Sequence, residues 1–145
     1  PLRVLVEAHR AYLTHAYDNP ATHKLVDTFF SSHKPNLDSE HAKLIEKIIQ
    51  PILAEIDTLH RAAVDSNSLD EGDLRQRTHI GWVCVHGMDH FRKRDWMMAP
   101  ANRTPALFKV LFGNLLVAWG APLEMVAEVM QAVPDLPTRE RKRTE

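Results

Sequence analysis

Three histidines, one cysteine and one tryptophan lie close together in segment 79–91, which reads HIGWVCVHGMDHF. His86 and His90 are four residues apart, a spacing that places two imidazoles on one face of a helix, where they can hold a metal ion. His79 precedes His86 by seven residues, about 10 Å along a helix axis, which is an awkward reach for the same ion. No glutamate follows His86, so the His-Glu-x-x-His pattern of zinc hydrolases is absent. We therefore predict no metal site, and we expect His86 to hydrogen-bond Asp89 or a second copy of the chain.

The remaining residues give little support for nucleophilic catalysis. Cys84, the only cysteine, lies on the apolar side of the same segment, where a thiol behaves as a small hydrophobe. The chain has neither a glycine-rich phosphate loop nor a Gly-x-Ser-x-Gly motif. We predict no catalytic residue, no cofactor and no enzymatic activity. The open alternative is a helical-bundle enzyme or carrier that uses His79, His86 and His90 for a metal or haem.

Composition is that of an ordinary globular domain. The 145 residues are 44% hydrophobic and 26% charged, and 18 basic against 19 acidic side chains give a net charge of -1. This balance does not provide the clustered positive charge of a nucleic-acid-binding surface. A single cysteine fits a reducing, cytoplasmic location. No apolar run approaches the roughly 20 residues that a membrane-spanning helix needs.

Apolar periodicity predicts an all-α fold of about six helices, with no strands. The predicted helices are 2–17, 20–30, a long helix that starts at Asp38 or Ser39 and ends at residues 65–67, a central helix 68–94, and helices 105–119 and 122–133. Pro51 should kink the long helix because it removes one backbone hydrogen bond. Ser68 and Glu71 have the Ser-x-x-Glu pattern of a capping box, which should start the central helix. We predict one domain over 1–137 and a charged tail over 138–145.

Two of these helices carry more apolar surface than one core needs. Helix 105–119 has almost no polar face, segment 79–91 is apolar on more than one side, and Gly81 and Gly87 would allow another backbone to come close. Such a patch indicates an interface, and the simplest closure is a homodimer in which both helices meet their copies as a four-helix bundle. The alternative is a monomer with one central buried helix. The predicted interface residues are Val83, Gly87, Phe91, Phe108, Leu111, Phe112 and Leu115.

The run Trp82-x-x-x-His86-Gly87 resembles the eighth helix of the C-terminal ligand-binding and dimerisation domain of TetR-family transcriptional regulators. A short polar stretch, DSNSL, precedes that helix, and the later stretch LFGNLLVAWGAP resembles the family's ninth helix. The resemblance implies that a small, largely apolar effector binds here and alters the operator affinity of an N-terminal helix-turn-helix domain, in most cases that of a repressor. The chain starts at Pro1 directly in helical periodicity, so we expect it to be a piece of a longer protein. Operator DNA would be bound only through that preceding domain.

A ligand pocket in such a domain would lie between the long helix, the opening helices and the central helix. Apolar walls with a few polar groups are typical of small-molecule sites. The same residue types build ordinary cores, so each wall residue can equally be a core residue. The predicted wall residues are Tyr12, Phe29, Phe30, Ile52, Ile56, Leu59, Trp82 and His86.

Overall fold

The computed structural model describes residues 1–21, 23–24 and 39–137, and the regular structure in these ranges is entirely helical. The helices are α1 (Leu2–Asp18), α2 (Ser39–Asp65), α3 (Leu74–Arg92), α4 (Thr104–Ala118) and α5 (Leu123–Ala132), with two short 3₁₀ turns, Asp95–Met97 and Pro100–Asn102, between α3 and α4. The predicted all-α fold is confirmed. Residues 20–21 and 23–24 are helical as well, whereas the rest of the predicted helix 20–30 lies outside the described residues. Among the helices described, none is long and apolar enough to cross a membrane.

The central position predicted for α3 follows from its contacts. α3 packs against α1, α2 and α4, while α4 packs against α5, which also contacts α1. α1 is amphipathic, and its buried side carries Leu5, Val6 and Leu13 at helical spacing. α3 is therefore packed against three other helices, as a central helix should be.

α4 contributes the largest side chains of the core. Phe108 and Phe112 are each 1% exposed, and Leu116 one turn later is fully buried. The rings of Phe108 and Phe112 are 4.6 Å apart, and Phe112 packs against the ring of His9 at 4.8 Å. The prediction that Phe108 and Phe112 belong to a dimer interface is wrong, because the core of a single chain already covers both rings.

The connection between α2 and α3 differs from the predicted capping box. α2 ends in a Schellman motif, in which Asn67 adopts a left-handed φ of 53° and the Ser68 N–H donates to the carbonyl of Ala63 at 2.8 Å. Ser68 is thus part of the exit from α2 and not the cap of α3. The cap of α3 is Asp73, whose carboxylate accepts from the Gln76 N–H at 2.9 Å.

A proline and a threonine mark two further details of the helices. α2 continues through Pro51 as one helix of 27 residues. At the start of α4, Thr104 is bound by a side chain from outside the helix. Its N–H and its hydroxyl both donate to Asp95 Oδ1 at 2.9 Å, so a carboxylate from the preceding 3₁₀ turn holds the helix start.

The loop after α2 is fastened to the junction of α4 and α5. The Asp70 N–H donates to the carbonyl of Trp119 at 2.9 Å, and Arg77 of α3 donates to the carbonyl of Asp70 at 2.8 Å. Gly120 has a φ of +95°, and a Cβ at this position would overlap the carboxylate of Asp70. Both the backbone conformation and the close approach therefore require glycine there. These contacts fix one end of α3 relative to the core.

Candidate ligand cavity and outer face of α3

An apolar cavity of about 270 Å³ lies between α1, α2 and α3. α3 contributes Thr78, Trp82 and Val85, which stand on one face of the helix because they are four and three residues apart. α1 and α2 supply the opposite walls. The described residues that line the cavity are Ala8, His9, Tyr12, His15, His23, Ile48, Ile49, Ile52, Leu53, Ile56, Thr78, Trp82 and Val85.

The predicted pocket residues divide into three groups. Tyr12, Ile52, Ile56 and Trp82 line this cavity. Leu59 packs against the hydrophobic core and is not among the wall residues, and neither is His86. The predicted positions Phe29 and Phe30 lie outside the described residues.

His86 acts at the edge of the cavity, through a wall residue. Its Nδ1 lies 3.0 Å from the hydroxyl of Tyr12, close enough for a hydrogen bond. Its ring centroid is 5.9 Å from that of His23 and 5.3 Å from that of His90. The carboxylate of Asp89, the predicted partner of His86, contacts His23 Nε2 at 3.0 Å. His86 therefore positions the Tyr12 hydroxyl at the rim.

His79, His86 and His90 of α3 are the residues of the alternative metal or haem site. In the part of the chain that the structure describes, no group of three or more His, Cys, Asp or Glu side chains can hold a metal ion. His79 is exposed, and its Nδ1 donates to the carbonyl of Arg75 one turn earlier, at 2.7 Å. Burial raises the pKa of the Cys84 thiol, which keeps it protonated and weakly reactive at neutral pH.

His9 is a wall residue that the sequence did not reveal. It is 4% exposed, and its Nδ1 donates to the carbonyl of Leu5 at 2.8 Å. Burial lowers the pKa of His9 against the opposing effect of that bond, so the ring is neutral at pH 7. Its Nε2 lies so close to α3 that a Cβ on Gly81 would overlap it. Gly81 was expected to allow a second backbone to come close, and in the structure it makes room for the His9 ring instead. A glycine inside the central helix was thus the one sign in the sequence that a large group packs there.

Thr78 is a second polar wall residue missed by the sequence analysis. Its side chain is 0% exposed, and its hydroxyl has no hydrogen-bond partner among the described residues. A threonine in the middle of a helix commonly donates to the carbonyl four residues earlier, but Thr78 does not. The signal in the sequence was its position one turn before Trp82, on the same inward side of α3.

A second cavity of about 520 Å³ lies beyond His23, near the end of α1. Its walls are more polar and include Arg92, Lys24 and Tyr17. Arg92 is already engaged, because its guanidinium lies 4.5 Å from the centre of the Tyr17 ring and donates to the carbonyl of Leu13 at 3.3 Å. The apolar cavity is therefore the better candidate for a small-molecule site.

The other side of α3 is apolar and exposed, and we call it, together with the neighbouring side of α4, the outer face. Val83 on α3 is 65% exposed and Val110 on α4 is 59% exposed. Leu111 and Leu115, also predicted for the interface, are partly buried, and Leu115 packs against the core. The exposed residues of the outer face are Ile80, Val83, Gly87 and Phe91 on α3 and Val110 and Val117 on α4.

Comparison of the chain with protein-family models, with characterised proteins and with solved structures finds no match. The likeness of the Trp82 run to one family thus stays a resemblance of pattern. What the chain does has to be argued from its cavity and its outer face.

Proposed function

We propose that this chain is an effector-binding and dimerisation domain of a transcriptional regulator. In this proposal a small, largely apolar molecule binds the cavity between α1, α2 and α3, and a second copy of the chain covers the outer face. The observation that carries the proposal is that one helix, α3, lines an apolar cavity with one side and exposes apolar residues on the other.

The size and chemistry of the cavity support binding of a small molecule. A volume of about 270 Å³ is close to the lower end of ligand sites, which run from roughly 300 to 1,000 Å³. Its walls are formed mainly by isoleucine, leucine, valine and tryptophan, with a few hydroxyl and imidazole groups. Such walls favour an apolar ligand that has few polar atoms.

The outer face supports association with a second copy. On α3 the exposed row runs from Ile80 to Phe91, about 16 Å along the helix, and α4, which packs against α3, exposes Val110 and Val117. Apolar faces of this extent usually mark an interface. Two helices that meet their own copies about a twofold axis make a four-helix bundle, a closed arrangement that buries both rows at once.

The regulatory part of the proposal rests on the sharing of α3 and on the TetR resemblance. A ligand that contacts Trp82 and Val85 can bias the position of α3, and hence its packing against the second copy. Such coupling requires that the ligand bind one arrangement of the dimer better than the other. DNA contact would belong to a preceding helix-turn-helix domain, because the net charge of this chain is only -1. A full-length sequence without a basic helix-turn-helix before Pro1 would remove this part of the proposal.

Cavity binding can be tested with naphthalene, a small apolar probe, by isothermal titration calorimetry. Ile52 is a wall residue with an exposed side, so Ile52→Asp places a charge at the rim without filling the core. We expect this substitution to weaken naphthalene binding at least about tenfold, because a carboxylate beside the ligand loses hydration. Leu123→Asp, on an exposed residue of α5 outside the cavity, is the matched control and should leave the affinity unchanged. No binding by the unmodified chain, or equal binding by both variants, would refute the proposed site.

A further inference from the structure

We propose that the cavity selects an uncharged ligand carrying one hydroxyl or carbonyl group, and that this group hydrogen-bonds the Thr78 hydroxyl at the buried end. The inference rests on the proposed ligand-binding function of the cavity. It adds the chemical class of the ligand and the direction in which the ligand lies.

The Thr78 hydroxyl is a wall group that combines complete burial of its residue with an unused hydrogen-bonding capacity. Its side chain is 0% exposed, it lines the cavity, and its oxygen has no partner in the described part of the chain. Buried polar groups in proteins are almost always hydrogen-bonded, so an orphan hydroxyl at a cavity wall calls for an explanation. A ligand group that pairs with Thr78 completes the hydrogen bond that α3 itself does not supply. Sites built to pair with a substrate hydroxyl reject analogues that lack it for the same reason.

The burial of the wall residues sets the orientation of the ligand. Thr78, Leu53 and Val85 are buried, whereas Ile48 and Ile52 are more than half exposed. The former therefore mark the inner end of the cavity and the latter its rim. A ligand that reaches Thr78 has its polar group inward and its apolar body toward the isoleucines.

The ligand's polar group should be neutral because neither His9 nor Arg77 offers it a free positive charge. Burial lowers the pKa of His9 more than the bond to the Leu5 carbonyl raises it, so the ring is neutral at pH 7. Arg77, next to Thr78 in the chain, donates to the carbonyls of Asp70 and Glu71 and does not line the cavity. A carboxylate placed beside Thr78 would lose its hydration without gaining an ion pair.

The remaining wall histidines already have partners of their own. His15 is exposed, and its Nδ1 contacts the Asn19 amide at 3.2 Å. His23 contacts the carboxylate of Asp89 at 3.0 Å. An anionic ligand would have to compete with that carboxylate for His23.

Three probes of one ring system test the inference: naphthalene, 1-naphthol and 1-naphthoate, titrated calorimetrically into the unmodified chain and two variants. We expect 1-naphthol to bind about tenfold more tightly than naphthalene, and 1-naphthoate to bind more weakly than 1-naphthol. Thr78→Val replaces the hydroxyl by a methyl group of similar size. This variant should bind 1-naphthol and naphthalene with about equal affinity, and its affinity for naphthalene should be that of the unmodified chain. Thr78→Ser keeps the hydroxyl and should keep the advantage.

The free variants provide the control for folding. Because the Thr78 hydroxyl has no partner, Thr78→Val should not lower the Tm, and we expect it to rise by about 2–4 °C. If Thr78→Val still binds naphthalene and still prefers 1-naphthol to the same degree, this inference is overturned. The proposed cavity would stand in that case. Tightest binding of 1-naphthoate would overturn the requirement for a neutral group. Failure of all three probes to bind the unmodified chain would overturn the proposed ligand site as well.

Discussion

The two sides of α3 are built from similar residues and have opposite surroundings. The inner side presents Trp82 and Val85 to α1 and α2, and the space left between these helices forms the cavity. The outer side presents Val83 and Phe91, which are 65% and 40% exposed. Apolar composition alone therefore does not distinguish a cavity wall from an interface. The neighbouring elements make the distinction, and one helix can supply both.

The two glycines of α3 show the same contrast at the scale of one atom. Gly81 faces inward, where a Cβ would overlap the ring of His9. Gly87 faces outward, where a Cβ would meet nothing within 4 Å in a single chain. The first glycine is required by packing inside the chain. In the proposed dimer, Gly87 would lie where the second copy approaches α3.

The largest expected effect is the loss of the proposed dimer. Val83→Arg or Val110→Arg places a guanidinium at an exposed position of the outer face and should convert the dimer to monomers, because a charge buried without a partner is strongly unfavourable. Val4→Arg, at a valine of α1 that is 53% exposed, is the matched control and should leave the mass unchanged. Light scattering measures all three. Equal masses for the Val83 and Val4 variants would remove α3 from the interface.

The next effect comes from Gly81 and Gly87. Both are best substituted in the Val83→Arg variant, which should be monomeric, and compared by denaturant unfolding. Gly81→Ala should lower the free energy of unfolding by about 1–3 kcal/mol, because His9 is buried and cannot move away from the new methyl group. Gly87→Ala should raise it by up to about 1 kcal/mol through helix propensity. A similar change in both variants would mean that His9 does not pack on Gly81 as described.

His60 gives a smaller effect that depends on pH. It is fully buried under Trp119, with ring centroids 5.1 Å apart, and neither ring nitrogen has a hydrogen-bond partner among the described residues. Burial, with help from His9 and Arg77, lowers its pKa to about 4, while Asp57 opposes the shift. In the unfolded chain His60 takes up a proton near pH 6.5, whereas in the folded chain it stays neutral down to about pH 4. The free energy of unfolding therefore falls as the pH drops from about 6.5 toward 4.

His60→Leu should remove about 1–2 kcal/mol of the stability difference between pH 7 and pH 5. The measurement is denaturant unfolding at the two pH values, at one protein concentration. His79→Gln, at an exposed histidine that bonds only within α3, should leave the difference unchanged. If His60→Leu has the same pH dependence as the unmodified chain, His60 must be charged or paired in the fold.

Local features of the sequence were sufficient to predict the helices. The positions of α1, α3 and α4 follow from apolar spacing, which depends on neighbours within a turn or two. The contacts that define the site are long-range and escaped this reasoning. Asp95 caps α4 from nine residues away, and His9 of α1 packs on Gly81 of α3. Neither pair can be recognised from spacing along the chain.

The wrong interface residues have a specific cause. α4 is apolar nearly all round, so its periodicity does not show which side faces inward. Phe108 and Phe112 are on the core side, whereas Val110 and Val117 are exposed. Thr78 escaped attention for the opposite reason. It is a single polar residue on an apolar side, and only the surrounding helices show that its hydroxyl lacks a partner.

The claim that α3 serves both a cavity and a dimer is tested most directly by the mass of the unmodified chain in solution, measured by light scattering. The chain has a mass of 16.6 kDa, so the proposed dimer should have twice that value, about 33 kDa. A mass of 16.6 kDa would contradict it, since the outer face would then be exposed to solvent and α3 would serve the cavity alone.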